Sequence, residues 1–222
     1  MVSSQTLISQ HNYAARALRW FALVLVFALT VLFTPADAAE RPDAERAKAF
    51  MNQLVKDAGA ALTAKGQRLE HREQKFRALL RDGFDMSFIA RVALGKRWRT
   101  LAPPEQKIYI DLFSRFVLST YAPRLGGFDP ARFHVTDASP KGRRDMLVKT
   151  DIEQDGGSAV KAGWRVRLVD GKHKIVDIIV EGISMTLNQR REFGSVVQKG
   201  GVSGLMEMLR ARTERLSVEP PS

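Results

Sequence analysis

Between Val160 and Phe193 the chain alternates apolar and charged residues on both sides of Asp170-Gly171, a pattern that fits a β-hairpin feeding a helix and little else. Val160, Ala162, Trp164, Val166 and Leu168 fall on one face of a first strand, with Lys161, Arg165 and Arg167 on the other. In a second strand, Lys174 to Glu181, Val176, Ile178 and Val180 alternate with Asp177 and Glu181. A loop of odd length, with Val169 facing His173, sets Trp164 opposite Ile178, Val166 opposite Val176 and Ala162 opposite Val180. It also brings Arg165 to Asp177 and Lys161 to Glu181. A slip of one residue would turn both carboxylates onto the apolar face, so the odd loop is expected. Gly182 ends the strand, and Ile183-Ser184-Met185 hands the chain to a helix.

Upstream of the hairpin the twofold period begins at Arg132. Phe133 and Val135 mark one strand and Met146, Val148, Thr150 and Ile152 another, joined by the basic turn Pro140 to Arg144. Gln154 to Gly157 leads into the hairpin, so the expected sheet is a four-stranded antiparallel meander with one apolar face. Before Arg132 the period is helical. Helices are expected from Asp43 to about Leu62, with Phe50, Leu54 and Ala58 on one face, and from about Glu70 to Arg81, with Phe76, Leu79 and Leu80. A short helix follows Asp85, a candidate N-cap, and closes at Gly95. The strongest helix starts at Pro103-Pro104-Glu105, where Ile108, Tyr109, Leu112, Phe113, Phe116, Val117 and Tyr121 make a broad aromatic face that must cover a sheet or a cavity. Pro123 and Gly126-Gly127 end it. Two helices, Gln189 to Gln198 and Val202 to about Arg215, follow the sheet, and a disordered tail is expected over 218–222. The fold class is therefore α+β, a curved antiparallel sheet packed against several helices.

Arg16 and Arg19 precede the apolar run Trp20 to Phe33, followed by Thr34-Pro35-Ala36-Asp37-Ala38-Ala39. That is the three-part layout of a secretory signal peptide, with cleavage expected after Ala38. Residues 39–217 then form one exported domain. The 222-residue chain has no cysteine, so neither disulfides nor thiolate chemistry are open to it. Its formal charge of +11 calls for an anionic partner; export points to acidic proteins or lipid head groups and away from nucleic acid.

The residues that carry chemistry do not converge. Gly182-Ile183-Ser184-Met185-Thr186 begins like a nucleophile elbow but has Thr where the second glycine belongs, which leaves Ser184 as a turn or capping residue. His11, His71, His134 and His173 lack ligand spacing, and no phosphate-binding glycine pattern occurs, so no metal, cofactor or catalytic residue is expected. Asp177, set among isoleucines and valines, reads either as a buried general base or as the ion-pair partner of Arg165, and the ion pair is favoured. Basic clusters at Lys96-Arg97-Arg99, Lys141-Arg143-Arg144 and Gln189-Arg190-Arg191 are each either docking sites or solvated surface.

The block Ile175-Val176-Asp177-Ile178-Ile179-Val180-Glu181-Gly182-Ile183-Ser184-Met185, with Arg190, Glu192-Phe193 and the segment Gly200 to Leu209, resembles the MlaC or toluene-tolerance family of periplasmic phospholipid carriers. Phe84-Asp85, Leu94-Gly95, Trp98, Leu101, Pro104 and Phe113 to Tyr121 extend the likeness. Ser-Met-Thr-Leu-Asn-Gln-Arg at 184–190 is similar to the branch linked to hopanoid lipids. Ala162-Gly163-Trp164 departs from the family, many of whose members place the aromatic differently. The resemblance implies a monomeric, non-catalytic carrier. It would bury phospholipid acyl chains, or a hopanoid-like lipid, and pass lipid between an outer-membrane lipoprotein complex and an inner-membrane ABC transporter complex. It implies a pocket lined from the sheet by Val148, Trp164, Val166, Ile178, Val180, Ile183 and Met185, and from the helical side by Trp98, Tyr109, Leu112, Phe113, Phe116 and Tyr121.

Overall fold

The computed structural model describes residues 43–62, 69–121 and 128–218. The expected signal peptide, the Pro123 to Gly127 helix end and residues 219–222 lie outside them. Helices α1 (Ala44–Leu62), α2 (Leu69–Gly83), α3 (Met86–Leu94) and α4 (Pro103–Tyr121) precede strands β1 (Phe133–Lys141), β2 (Asp145–Ile152), β3 (Val160–Val169), β4 (Lys172–Val180) and β5 (Ile183–Ser184). Helix α5 (Met185–Val218) ends the described chain. The local signals act as chemistry dictates. The Asp85 carboxylate accepts the Phe88 N–H at 2.9 Å and starts α3, while Gly95, at φ 65°, closes it. Glu105 reaches back to accept the Ala102 N–H at 2.8 Å in front of α4.

The strands run antiparallel in the order β1-β2-β3-β4-β5. The sheet therefore has five strands where four are expected, the fifth being the two-residue step through Ile183 and Ser184 that pairs with Ile179 and Val180. The central register is the expected one: Ala162 faces Val180, Trp164 faces Ile178 and Arg165 faces Asp177. The route to it differs. The turn is the two-residue Asp170-Gly171, both at positive φ, so Val169 faces Lys172 rather than His173. A bulge opposite Arg165 and Val166 absorbs the odd residue, and Val166 faces Ile175 instead of Val176. At this bulge the edge of β4 turns to another partner: Phe84 bridges Ile175, and the Asp85 N–H donates to the Ile175 carbonyl at 2.9 Å. The bulge thus fixes where α3 meets the sheet.

Two buried clusters result. In one, Ala47 and Met51 of α1 close over Met146, Val148, Val166 and Ile175 on the sheet. In the other, α3, α4 and α5 pack together through Tyr109, Leu112, Phe116, Phe193, Leu205 and Leu209. Helix α5 comprises the two helices expected after the sheet, parted as expected at the glycine pair, where Gly201 leaves helical backbone at φ 65°. Val218, expected in the tail, is its last residue. The outer side of the packed end of the sheet carries a buried ion cluster: Asp145 accepts from Arg167 Nε at 2.6 Å and from the Arg165 guanidinium. The Arg167 guanidinium lies 4.4 Å from the centre of the Phe88 ring, which ties α3 to the sheet.

Candidate functional site

Between the two clusters lies a cavity of about 450 Å³, within the range of about 300–1,000 Å³ usual for small-molecule sites. Its walls follow from helical and strand periods. Met51, Leu54, Val55 and Ala58 face it from α1, and Phe113, Val117 and Tyr121 form an i, i+4, i+8 stripe on α4. The sheet contributes Ala162, Trp164, Ile178 and Val180, and α2 contributes Phe76, Leu79 and Leu80. Among the 25 described residues that line it, Asp177 is the only charged one.

Two polar groups of this wall, on Trp164 and Asp177, are held by neighbours in the fold. The Trp164 indole N–H donates to Thr150 Oγ1 at 2.9 Å, which satisfies the ring without water and leaves its face to the cavity. Asp177 accepts the Ser184 hydroxyl at 2.7 Å and the Thr186 backbone N–H at 3.1 Å, and Ser184 Oγ accepts the Leu187 N–H at 3.1 Å. Asp177 therefore anchors the N-terminus of α5, where a carboxylate is favoured by the free amides and the helix dipole. This corrects the expected Arg165–Asp177 ion pair: Arg165 turns to Asp145, and Asp177 is 4% exposed and engaged with the helix start. Ser184 is the capping residue its surroundings suggest. A site walled so largely by apolar groups, with its one described carboxylate engaged by the helix start, can hold a large apolar molecule.

Among the expected lining residues, the fold brings Phe113, Tyr121, Trp164, Ile178, Val180 and Met185 to the cavity. Val148 and Val166 belong instead to the packed end of the sheet, each with no exposed surface. Tyr109, Leu112 and Phe116 fill the helical core, where burial pushes the Tyr109 phenol up and its hydroxyl donates to the Ala90 carbonyl at 3.2 Å. Trp98 packs against Tyr109 at the border of that core. Ile183 points outward and is 52% exposed. The lining residues of α1 and α2 escaped the sequence reading, although their apolar faces were visible in it. A second hollow of about 400 Å³ shares Leu80, Phe84 and Met86 with the first but is lined by Arg77, Arg81, Arg115, Lys174, Asp85 and Asp111. Among the described residues no cluster of His, Asp and Glu could hold a metal ion, and no helix is long and apolar enough to cross a membrane.

The fold matches that of a phospholipid-binding protein from Ralstonia solanacearum, whose structure was solved in complex with a phospholipid. The TM-score is 0.64 at 24% sequence identity, over 77% of this chain and 98% of that one. The family model described as MlaC protein matches residues 48–211, most of the chain and every described residue that lines the cavity. The chain belongs to the MlaC family.

Proposed function

We propose that the protein carries a phospholipid with its acyl chains in the cavity between α1, α2, α4 and the sheet, and with its head group outside. The observation that carries this reading is the wall itself: 25 described lining residues with a single charge among them, and that charge capping a helix. Each acyl methylene removed from water is worth about 0.8 kcal/mol, so a chain sunk in such a wall competes with a bilayer. The bound phospholipid of the Ralstonia solanacearum protein supports the same ligand class. As a member of its family the protein is a carrier and not an enzyme.

Transport between an outer-membrane lipoprotein complex and an inner-membrane ABC transporter complex, in the periplasm, is the role this carrier would serve. The export layout of residues 16–39 supports that compartment. Lipid extraction and mass spectrometry of the protein purified from periplasm test the ligand. Diacyl phospholipid at near one molecule per chain is the expected result. A hopanoid in its place would redirect the substrate class, and the absence of any lipid would count against the carrier.

A further inference from the structure

We propose that the corner between β5 and α5 is a docking surface for an anionic lipid bilayer, a proposal that rests on the carrier reading. Large apolar side chains exposed to water are few among the described residues, yet Ile183 at 52% and Leu187 at 50% both stand at this corner. Leu187 shares a helix face with Arg190 and Arg191, three and four residues on. Arg190 in turn lies over Gly95: a Cβ there would come within 2.6 Å of its Nε. That contact sets the 3₁₀ segment Gly95–Thr100, with Lys96, Arg97 and Arg99, beside the start of α5. Two basic clusters separated in sequence by about ninety residues thus meet next to two exposed aliphatic side chains. The nearby carboxylates are engaged elsewhere, Glu192 with the amides of Asn188 and Gln189 and Glu181 with the Lys161 N–H.

The corner adjoins the cavity, because Met185, Thr186 and Gln189 line it. Aliphatic side chains entering the head-group layer beside guanidinium groups on phosphate are the elements of interfacial binding. Two side chains are a small surface beside the roughly 800 Å² per partner of a stable protein interface, and they suit a brief contact with a membrane. A bilayer met at this corner would present lipid at the edge of the cavity.

Co-sedimentation of the protein with vesicles of phosphatidylcholine, with and without phosphatidylglycerol, tests the proposal. The expected result is binding to the anionic vesicles that weakens with salt. It should fall about tenfold in Ile183→Ser/Leu187→Ser, and about tenfold with a flatter salt dependence in Arg190→Gln/Arg191→Gln. Ile108→Ser, which changes an equally exposed side chain on α4, should bind like the parent. All five positions are exposed, so melting temperatures should not move. A parent protein that binds neither vesicle, corner variants that bind as well as it does, or an equal loss in Ile108→Ser would each overturn the proposal. Native mass spectrometry of the same samples separates this from the carrier reading: lipid retained by variants that have lost vesicle binding supports docking at the corner, whereas a lipid-free parent sinks the carrier and leaves the vesicle result to stand by itself.

Discussion

Val166 and Ala162 stand on the same face of β3, four residues apart, and meet opposite surroundings. Val166 is sealed with Ala47, Met51, Met146, Val148 and Ile175 in a close-packed cluster. Ala162 borders the cavity with Ile178, Val180 and Trp164. One sheet face, one alternating pattern and one apolar composition thus produce a solid core at the turn end and a hollow at the other. Coverage makes the difference. The first half of α1 reaches down onto the packed end through Ala47 and Met51, while Leu54, Val55 and Ala58 line the far side of the space above the other end. A hydrophobic pattern says which side of a strand avoids water; it does not say whether protein or ligand supplies the other half of the contact.

The sharpest break of this contrast is Ile175→Ala in lipid-free protein. Ile175 is fully buried in the packed end, so its loss should leave a cavity and cost about 3 kcal/mol in denaturant unfolding. Next comes Asp145→Asn, which removes the anion that Arg165 and Arg167 share on the outer side of that end. Both arginines keep some contact with water, so the cost should be about 2 kcal/mol, below that of a fully buried pair. Burial alone would raise the Asp145 pKa, but the hydrogen bonds from Arg167 and Arg165 outweigh it and hold the carboxyl below its ordinary value. The folded state therefore releases this proton more readily than the unfolded one. The stabilisation is complete above the unfolded aspartate value of about 3.9 and is lost as pH falls through the lower folded value. Asp145→Asn should flatten the acid limb of the stability curve below about pH 4.

Smaller effects belong to the open end. Ser184→Ala deletes the α5 cap and one hydrogen bond to Asp177, for about 1 kcal/mol. Ile178→Ala should cost least in lipid-free protein, about 0.5–1 kcal/mol, because its side chain borders space that is already empty and no new void opens. A loss as large as that of Ile175→Ala would mean that the two ends of the sheet are packed alike.

Much of this fold is legible in the sequence because its signals are local. Asp85 and Gly95 bound α3, Asp170-Gly171 turns the hairpin, and the pairing of Trp164 with Ile178 follows from keeping charges off the apolar face. The bulge at Val176 escapes, since a two-residue turn with a bulge and a longer turn without one give the same pairing from Arg165 to Ala162. The partner of Asp177 escapes for a related reason. Cross-strand register places Arg165 opposite it, but the free amides at the start of α5 compete for the carboxylate and win, and Arg165 finds Asp145 one strand away. The site is half legible. On α4 the broad face is one apolar surface in sequence, yet in the fold Tyr109, Leu112 and Phe116 turn to the helical core, Tyr121 to the cavity, and Phe113 and Val117 stand at the border and touch both. That split depends on where α5 and α1 dock, which no local period encodes.

The central claim is that the space above Ala162 is where the acyl chains go, and one pair of substitutions on β3 tests it most directly. Ala162→Trp places an indole in the cavity, whereas Val166→Trp forces one into the packed end, where overpacking costs about 1–3 kcal/mol or more. Lipid content by native mass spectrometry, read alongside the unfolding midpoint, should show Ala162→Trp folded but stripped of lipid and Val166→Trp strongly destabilised. An Ala162→Trp protein that folds and still carries a full complement of lipid would contradict the claim.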